Sequence, residues 1–199
     1  SQADVLLVFD EVATGFGRTG TLFAAEQCGV RADLLCLGKG LAAGYVPMSA
    51  TVASRRVFDA FLGVDLGPQA LYHGHSFGGN ALAAAVALRQ LELFDKWDVL
   101  GNVAERSTQL ETLLDRVVAP LNGVAEIRIR GLMAGVELAA PRPDLQWGRR
   151  VCAAAVERGV LLRPLGDVVV LMPPLTITAP EVQRIVDVVA GSIEEVTGA

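Results

Sequence analysis

Residues that bind metal ions or form disulfide frameworks are scarce in this 199-residue sequence. It contains two histidines, His73 and His75, and three cysteines, Cys28, Cys36 and Cys152. Two neutral imidazoles without a third ligand make a poor metal site, so we predict that no metal is bound. An odd number of cysteines in apolar surroundings indicates buried, reduced thiols rather than disulfides, and we therefore expect a cytoplasmic protein.

Clustered positive charge and long apolar segments are also missing. The formal net charge is −5 without a basic cluster, so the sequence lacks the electrostatic signature of a nucleic-acid-binding protein. No apolar run approaches the roughly 20 residues that a membrane-spanning helix needs, and we expect no membrane partner. Hydrophobic side chains make up 52% of the sequence, which is enough to bury the core of one or two globular domains.

Two short apolar runs lead directly to charged residues. Residues 5–9 precede Asp10, and residues 34–37 are followed by Gly38 and Lys39. Runs of this length, bounded by turn residues, are typical of strands that are buried on both faces of a parallel sheet. Ligands of open α/β sheets bind at the carboxyl ends of the strands, so Asp10 and Lys39 are predicted to lie at one edge of one sheet.

A carboxylate and a lysine at one sheet edge suit the chemistry of pyridoxal 5'-phosphate. A lysine amine can form an imine with the aldehyde of this cofactor, and a carboxylate can keep its pyridine nitrogen protonated through a charge-assisted hydrogen bond. The glycines on either side of Lys39, Gly38 and Gly40, would let the backbone approach a bulky ring. Asp10 and Lys39 are therefore candidate catalytic residues.

A second pattern favours a different class of protein. Residues 15–20 read GFGRTG, from Gly15 to Gly20, and match the glycine fingerprint of dinucleotide-binding proteins. That fingerprint follows its strand directly, opens a helix, and has an acid about 20 residues later at the tip of the next strand. Here residues 11–14 intervene, and the next strand leads to Lys39 instead of an acid. A nicotinamide- or flavin-binding protein therefore remains only as an alternative.

Four segments together resemble the class III aminotransferases, which belong to the fold type I superfamily of pyridoxal-phosphate-dependent enzymes. They read FDEVATGFGRTG, GKGLAAGYVPMSA, HGHSFGGNALAAAVAL and LLRPLGDVVVLMPPLTIT, in this order. The resemblance implies an α/β fold in which residues 1–100 form part of a large cofactor-binding domain with a mostly parallel sheet. Residues 101–199 would form a small α+β domain. Within the family, the resemblance is strongest to the biotin-pathway branch, with lysine, ornithine and 4-aminobutyrate ω-aminotransferases as alternatives.

Members of this family are longer than the present chain. They carry a phosphate-binding turn and an aromatic residue that stacks on the cofactor, and both precede the strand that ends at Asp10. We therefore expect this chain to be the C-terminal half of a subunit, and to be inactive alone.

The resemblance also implies roles for individual residues near the sheet edge. Asp10 would pair with the pyridinium, and Val12 would lie against the ring face. Lys39 would hold the cofactor, be displaced by the amino substrate, and then carry the substrate proton as general base and acid. The substrates implied are a small-molecule amine donor and a keto acceptor.

A segment further along the chain is implied to complete the site of a second subunit. Residues 72–80 read YHGHSFGGN, and His73 and His75 are predicted to share the face of a strand. In the family, a hydroxyl in this segment holds the cofactor phosphate of the partner subunit. Ser76 matches that position, supported by backbone amides around His75 and Gly74, with Gly74 also beside the substrate. This arrangement implies a homodimer with shared active sites.

The last two functional assignments concern arginines. Arg163 lies in the segment LLRPL at a strand end, and in the biotin-pathway branch the matching arginine binds the substrate carboxylate, to which a planar bidentate donor is suited. Val170 stands where relatives of that specificity often carry tyrosine. Arg18 is a family marker for which the sequence indicates no role.

Turn, cap and periodicity signals predict the remaining elements. The predicted strands are residues 47–52, two strands within 125–138 broken at Gly131, 160–163 and 168–171. The predicted helices are residues 22–28, 55–61 capped by Ser54, 80–94 as a long buried helix, 98–118, 146–158, and 180–196 capped by Thr178.

Overall fold

The computed structural model describes residues 4–198, which divide into two compact units. The first unit comprises residues 4–17 and Thr21–Asp98, and the second comprises Arg18–Gly20 and residues 99–198. The first contains strands β1 (Val8–Asp10), β2 (Leu34–Leu37) and β3 (Ala50–Ala53), helices α1 (Ala25–Cys28), α2 (Arg55–Asp59) and α3 (Ala81–Lys96), and a 3₁₀ turn at Lys39–Ala42.

The sheet of the first unit has the order β1-β2-β3, with β1 parallel and β3 antiparallel to β2. The two apolar runs thus form adjacent parallel strands, as predicted. The prediction that both are buried on both faces is wrong, because Val8 of β1 is 51% exposed and only Leu37 of β2 is buried. β1 is also shorter than predicted because the Asp33 carboxylate accepts the Leu7 N–H (2.9 Å), which interrupts regular strand pairing before Val8.

Helix α3 has the predicted position but not the predicted burial. It begins after Asn80, whose side-chain oxygen accepts from the N–H groups of Leu82 (3.0 Å) and Ala83 (3.4 Å). Ala83 and Ala87 are buried, whereas Leu82 and Leu88 are 78% and 64% exposed. Within residues 4–198 the buried members of the helix are Ala83, Ala87 and Phe94, and its other faces, which also carry Arg89 and Glu92, are largely exposed.

Helices α1 and α2 show how local signals set element ends. α1 ends at Gly29, which adopts the left-handed conformation (φ 65°), as expected for a helix stop. α2 is capped by Ser54, whose hydroxyl accepts from the Val57 N–H at 3.4 Å. The prediction that all three cysteines are buried is confirmed only for Cys152, because Cys28 on α1 is exposed and Cys36 on β2 is half-buried.

The second unit is an antiparallel sheet with helices. Its elements are α4 (Val99–Leu113), which continues into a π-helical turn at Leu114–Val118, β4 (Val124–Arg130), β5 (Met133–Leu138), a 3₁₀ turn at Pro143–Leu145, α5 (Trp147–Glu157), β6 (Arg163–Leu165), β7 (Val168–Leu171) and α6 (Ala179–Thr197). The strand order is β4-β5-β7-β6. The break predicted at Gly131 is confirmed as the turn between β4 and β5, and the predicted limits of β7 match.

The predicted position of β6 is wrong by a few residues. In the structure, Leu165 pairs with Val168 and Arg163 pairs with Val170. The two-residue turn at Gly166 and Asp167 joins the strands directly, so pairing has to begin beside the turn and β6 shifts toward it.

The core of the second unit is built from branched aliphatic side chains of its sheet and its helices. Fully buried members include Val103, Leu114, Val136, Val151, Val169, Val186 and Ile193. Burial also raises the pKa of the Cys152 thiol in this core. Every helix of residues 4–198 is too short or too polar to cross a lipid bilayer.

Helix α6 begins with a capping interaction that makes a pH-dependent contribution to stability. The Glu181 carboxylate accepts from the Thr178 hydroxyl (2.7 Å) and from the Thr178 N–H (2.8 Å), and these bonds lower the pKa of Glu181 below its ordinary 4.5. A carboxyl with a lowered folded-state pKa stabilises the fold fully above its unfolded-state pKa. That stabilisation is lost as the pH falls through the folded-state value.

We therefore expect Glu181→Ala to lower the urea midpoint of unfolding at neutral pH, and to differ progressively less from the parent chain as the pH falls below 4.5. Urea titrations at neutral and acidic pH measure both effects. Glu111→Ala, at an exposed position of α4, is the matched control. A Glu181→Ala deficit that stays the same in acid would contradict this assignment.

Candidate active site

Strands β1 and β2 place Asp10 and Lys39 at one edge of the first unit's sheet. Asp10 is the last residue of β1 and pairs in register with Cys36 of β2. The Glu11 N–H donates to the Cys36 carbonyl (2.9 Å), so the pairing continues one residue past Asp10. Lys39 follows three positions after Cys36, at the same carboxyl end of the parallel pair. The structure therefore brings the two residues to one edge, as the sequence predicted.

The carboxylate of Asp10 is oriented by the backbone that follows it. Its Oδ1 accepts from the Val12 N–H at 3.0 Å, and the side chain is exposed. Within residues 4–198 this is its one hydrogen bond, so Oδ2 is available to a further donor. The geometry thus presents a fixed carboxylate oxygen at the sheet edge.

Lys39 has an unusual backbone conformation at the start of the 3₁₀ turn. Its φ of 37° lies in the left-handed region, and Ala43 at the end of the turn also has a positive φ of 50°. Such conformations cost of the order of 1–3 kcal/mol for residues other than glycine, and they concentrate at functional sites. The side chain is exposed, and among residues 4–198 no acid pairs with its amine. Lys39 therefore offers an unpaired amine.

The glycines that flank Lys39 lie close to side chains of the loop after β1. A Cβ on Gly38 would lie 3.2 Å from Cγ1 of Val12, and a Cβ on Gly40 would lie 2.8 Å from Cβ of Phe16. Val12 and Phe16 both belong to the loop after β1. These glycines were predicted to let the backbone approach a cofactor ring, whereas in the structure they make room for loop side chains.

The neighbour of Asp10, Glu11, has a structural role that its sequence context does not indicate. It is 2% exposed, and its carboxylate accepts hydrogen bonds from Thr14, Ala24 and Ala25. Its position next to Asp10 at a strand end gave no signal, because an acid beside a loop is usually solvated. Glu11 thus supports the loop between β1 and α1.

The glycine-rich segment does not have the geometry of a dinucleotide fingerprint. Residues 12–19 form consecutive turns, and α1 begins only at Ala25. Gly15 faces the backbone, since a Cβ there would lie 2.8 Å from the Glu11 carbonyl oxygen. The segment neither follows its strand directly nor opens a helix, so the dinucleotide-binding alternative lacks its structural context.

Arg18, for which the sequence indicated no role, joins the β4–β5 turn to the segment after β7, both in the second unit. Its Nη1 donates to the carbonyls of Leu132 (2.9 Å) and Pro173 (2.6 Å), and its own carbonyl accepts from the Leu132 N–H (3.0 Å). Burial lowers the pKa of its guanidinium. A Cβ on Gly131 would lie 2.5 Å from the Arg18 carbonyl oxygen, so the β4–β5 turn needs glycine there. These contacts are formed between residues far apart in sequence, so no local sequence pattern predicts them.

The segment predicted to reach a partner subunit is an exposed loop. The prediction that His73 and His75 share a strand face is wrong, because local hydrogen bonds close a turn here. His75 Nδ1 accepts from the Phe77 N–H (3.1 Å), and the His75 carbonyl accepts from the Gly78 N–H (2.9 Å). Gly74, His75 and Ser76 are all exposed. Their contacts with phosphate or substrate remain predictions.

Arg163 belongs to the second unit, where β6 presents it on the surface. It lies directly opposite Val170 of β7, and both line a cleft of about 740 Å³. Apolar side chains, among them Leu161 and Met172, form much of the wall of this cleft. An exposed guanidinium beside an apolar wall suits a ligand that has a carboxylate on an aliphatic chain.

Comparison with known proteins identifies relatives of the whole chain. An adenosylmethionine-8-amino-7-oxononanoate aminotransferase of Nitratidesulfovibrio vulgaris is 47% identical over 97% of this chain and 37% of its own length. The crystal structure of an enzyme of the same name from Methanocaldococcus jannaschii superposes with a TM-score of 0.91 at 37% identity, over 96% of this chain and 46% of that one. An (S)-enantioselective omega-transaminase of Thermomicrobium roseum superposes at 0.88 with 34% identity, over 96% and 44%.

The chain therefore spans less than half the length of these relatives, and its α/β fold is that of the transaminases. The family model Aminotransferase class-III matches residues 1–193, which is nearly the whole sequence. The order of its segments, from the strand that ends at Asp10 to the cleft beside Arg163, agrees with this match. The chain belongs to the class III aminotransferase family.

Proposed function

We propose that this chain is part of a pyridoxal-phosphate-dependent aminotransferase whose reacting groups are Lys39 and Asp10. The observation that carries the proposal is their position at one sheet edge, with an unpaired amine and an available carboxylate oxygen. Class III aminotransferases depend on pyridoxal phosphate. The residues present fit this cofactor, because its aldehyde requires a free amine and its pyridine nitrogen requires a carboxylate acceptor.

Each residue then has a defined task. When bound, pyridoxal phosphate supplies an electron-withdrawing ring that eases removal of a proton from the substrate carbon next to nitrogen. Lys39 would hold the cofactor through Nζ, and its amine would serve as general base and acid toward that proton. Asp10 would hold the ring nitrogen in its protonated form through its carboxylate. Val12, in contact with Gly38, provides an apolar surface beside Lys39.

The proposed substrates are S-adenosylmethionine as amine donor and 8-amino-7-oxononanoate as acceptor, giving 7,8-diaminononanoate in biotin synthesis. Two observations support this choice. Relatives that cover nearly the whole chain carry that name, at identities from 35% to 47% among several organisms. The acceptor has a carboxylate on an aliphatic chain, which suits Arg163 and the apolar wall beside it.

A second candidate is an ω-aminotransferase with other substrates, such as lysine, ornithine or 4-aminobutyrate. Its support is the likeness to the Thermomicrobium roseum omega-transaminase, together with Val170. Valine lies opposite Arg163 in the sheet register and has no hydroxyl to offer a substrate. Both candidates use the same reacting residues, so the distinction depends on substrates alone.

The proposal includes a homodimer with shared sites. Residues 72–80 form an exposed loop, as a segment that reaches into a neighbouring subunit would before assembly. Ser76 would hold the partner's cofactor phosphate through its hydroxyl, with the amides near His75 and Gly74 as additional donors.

Half-reactions on the complete protein test the proposed function. The protein is loaded with pyridoxal phosphate, mixed separately with S-adenosylmethionine, lysine, ornithine or 4-aminobutyrate, and followed by cofactor absorbance. Conversion by S-adenosylmethionine alone is the expected result. Conversion only by a diamine or an ω-amino acid would replace the biotin-pathway assignment with the second candidate, and no conversion by any amine would contradict transamination itself.

Arg163 provides a test of acceptor recognition. We expect Arg163→Ala to raise the KM for 8-amino-7-oxononanoate by roughly 10- to 100-fold, since hydrogen bonds between charged groups contribute about 1.5–3 kcal/mol. Steady-state kinetics with this acceptor, and with an amino ketone of the same length without the carboxylate, measure the effect. The second acceptor should be used equally well by both proteins.

The matched control for that experiment is Arg149→Ala, which removes an exposed arginine from α5. It should leave both KM values unchanged. Equal losses with both acceptors in Arg163→Ala would mean that Arg163 does not bind the carboxylate.

A further inference from the structure

Glu11 is a buried carboxylate that the proposed reaction does not use. It is 2% exposed. Its Oε2 accepts from the Thr14 hydroxyl (2.5 Å) and the Ala24 N–H (3.1 Å), and its Oε1 accepts from the Ala25 N–H (2.7 Å). Thr14 lies early in the loop after β1, whereas Ala24 is the last residue of the loop and Ala25 is the first of α1. One side chain therefore ties both ends of this loop together.

The loop that Glu11 closes, residues 12–24, is compact and partly strained. Phe16 is 3% exposed and has a positive φ of 59°, a conformation that is rare for an aromatic residue. Its ring packs edge-on against Phe23, with centroids 5.5 Å apart. The Gly17 N–H donates to the Leu22 carbonyl at 3.2 Å. A strained backbone persists only where surrounding contacts fix it, and the Glu11 hydrogen bonds are such contacts.

This loop contacts the chain on both sides of Lys39. Val12 lies against Gly38 and Phe16 lies against Gly40, where an added Cβ would be 3.2 Å from Val12 and 2.8 Å from Phe16. Lys39 itself stands between these two contacts with its left-handed φ of 37°. Loop residues 12–24 thus shape the backbone from which the reacting amine extends.

We propose that Glu11 is a positioning residue for Lys39. Its three hydrogen bonds fix the loop, and through Val12 and Phe16 the loop holds the Lys39 backbone in the conformation that presents Nζ at the sheet edge. The proposal rests on the proposed function for the chemistry of Lys39, and it adds the residue that supports the geometry. Because all of its hydrogen bonds are directed into the loop, Glu11 acts through Lys39 and does not touch substrate.

Glu11→Gln tests this proposal with little change of shape. The amide keeps one acceptor oxygen but replaces the other with NH₂, which cannot accept from a backbone N–H. Thr14→Val is the milder second variant, since it removes one of the three donors and leaves Glu11 in place. Glu92→Gln, at an exposed position of α3, is the control.

The first readout is independent of the cofactor. The sequence contains two lysines, Lys39 and Lys96. The cofactor-free protein is treated with acetic anhydride, and mass spectrometry gives the ratio of acetylation at Lys39 to acetylation at Lys96. We expect this ratio to change roughly 3- to 10-fold in Glu11→Gln, the factor that corresponds to one net hydrogen bond, and less in Thr14→Val. The control should match the parent.

The second readout uses the complete protein loaded with pyridoxal phosphate. Attachment of the cofactor to Lys39, and the donor half-reaction, should both slow by at least about 10-fold in Glu11→Gln, because small misplacements of a reacting group are costly. The pH midpoint of the bound cofactor's absorbance should shift as well. KM values for both substrates should stay close to those of the parent.

These outcomes distinguish a failure of the proposed function from a failure of the proposal for Glu11. A parent protein that shows no half-reaction contradicts the proposed function, whereas the acylation ratio still reports whether Glu11 positions Lys39. If Glu11→Gln lowers only the urea midpoint, while the ratio, the attachment rate and the absorbance titration match the parent, Glu11 is merely structural and the proposal is wrong. If Glu11→Gln does not fold, an unchanged ratio in Thr14→Val gives the same negative answer.

Discussion

Replacing Lys39 with alanine is expected to lower kcat for transamination by at least about a thousandfold, which is within the range of losses for a positioned general acid and base. Nζ of Lys39 has two tasks, holding the cofactor and moving the substrate proton, and alanine performs neither. The left-handed backbone at this position disfavours alanine as much as lysine, so the substitution should leave the strain unchanged. Steady-state kinetics on the complete, cofactor-loaded protein measure the loss.

Lys96→Ala is the matched control for this experiment. Lys96 is an exposed residue of the last turn of α3 and should contribute nothing to kcat. Urea unfolding of all three proteins should give similar midpoints, so that the loss is attributable to chemistry. Retention of more than a few per cent of kcat in Lys39→Ala would remove Lys39 from the catalytic role.

The second large effect is expected for Asp10→Asn. The asparagine oxygen can still accept from the Val12 N–H, so the local turn should persist. The charged acceptor for the ring nitrogen is lost, however, and a hydrogen bond to a charged group contributes about 1.5–3 kcal/mol. We expect kcat to fall by about 100-fold, together with weaker retention of the cofactor during dialysis.

Asp59→Asn is the control for the loss of one carboxylate. Asp59 forms an exposed ion pair with Arg55 (2.7 Å), of a kind that contributes little to stability. The kcat of Asp59→Asn should equal that of the parent protein. A full kcat and normal cofactor retention in Asp10→Asn would show that the carboxylate at this sheet edge is not the partner of the ring nitrogen.

Local sequence signals predicted the elements whose limits are set by turn and cap chemistry. β2 and β7 have the predicted limits, Gly131 marks the β4–β5 turn, and Ser54 caps α2. The edge shared by Asp10 and Lys39 was also predictable, because two apolar runs in one parallel sheet have to end on the same side. In each case, the determining interactions lie within a few residues or follow from strand direction.

The features that the sequence did not predict depend on distant contacts. The register of β6 follows from its pairing with β7, and the exposure of α3 depends on which other elements are present to cover it. The hydrogen bonds of Arg18 to Leu132 and Pro173 join residues more than 100 positions apart. Glu11 escaped notice for the same reason, since the donors at Ala24 and Ala25 come close only after the loop has folded.

The measurement that tests the central claim most directly is reductive trapping of the cofactor. The complete protein is incubated with pyridoxal phosphate, reduced with borohydride and digested, and the labelled peptide is identified by mass spectrometry. The account predicts a stoichiometric label on Lys39, its absence from Lys39→Ala, and an unlabelled Lys96. A label that persists in Lys39→Ala, or that lies on Lys96 or another lysine of the protein, would contradict the assignment of Lys39.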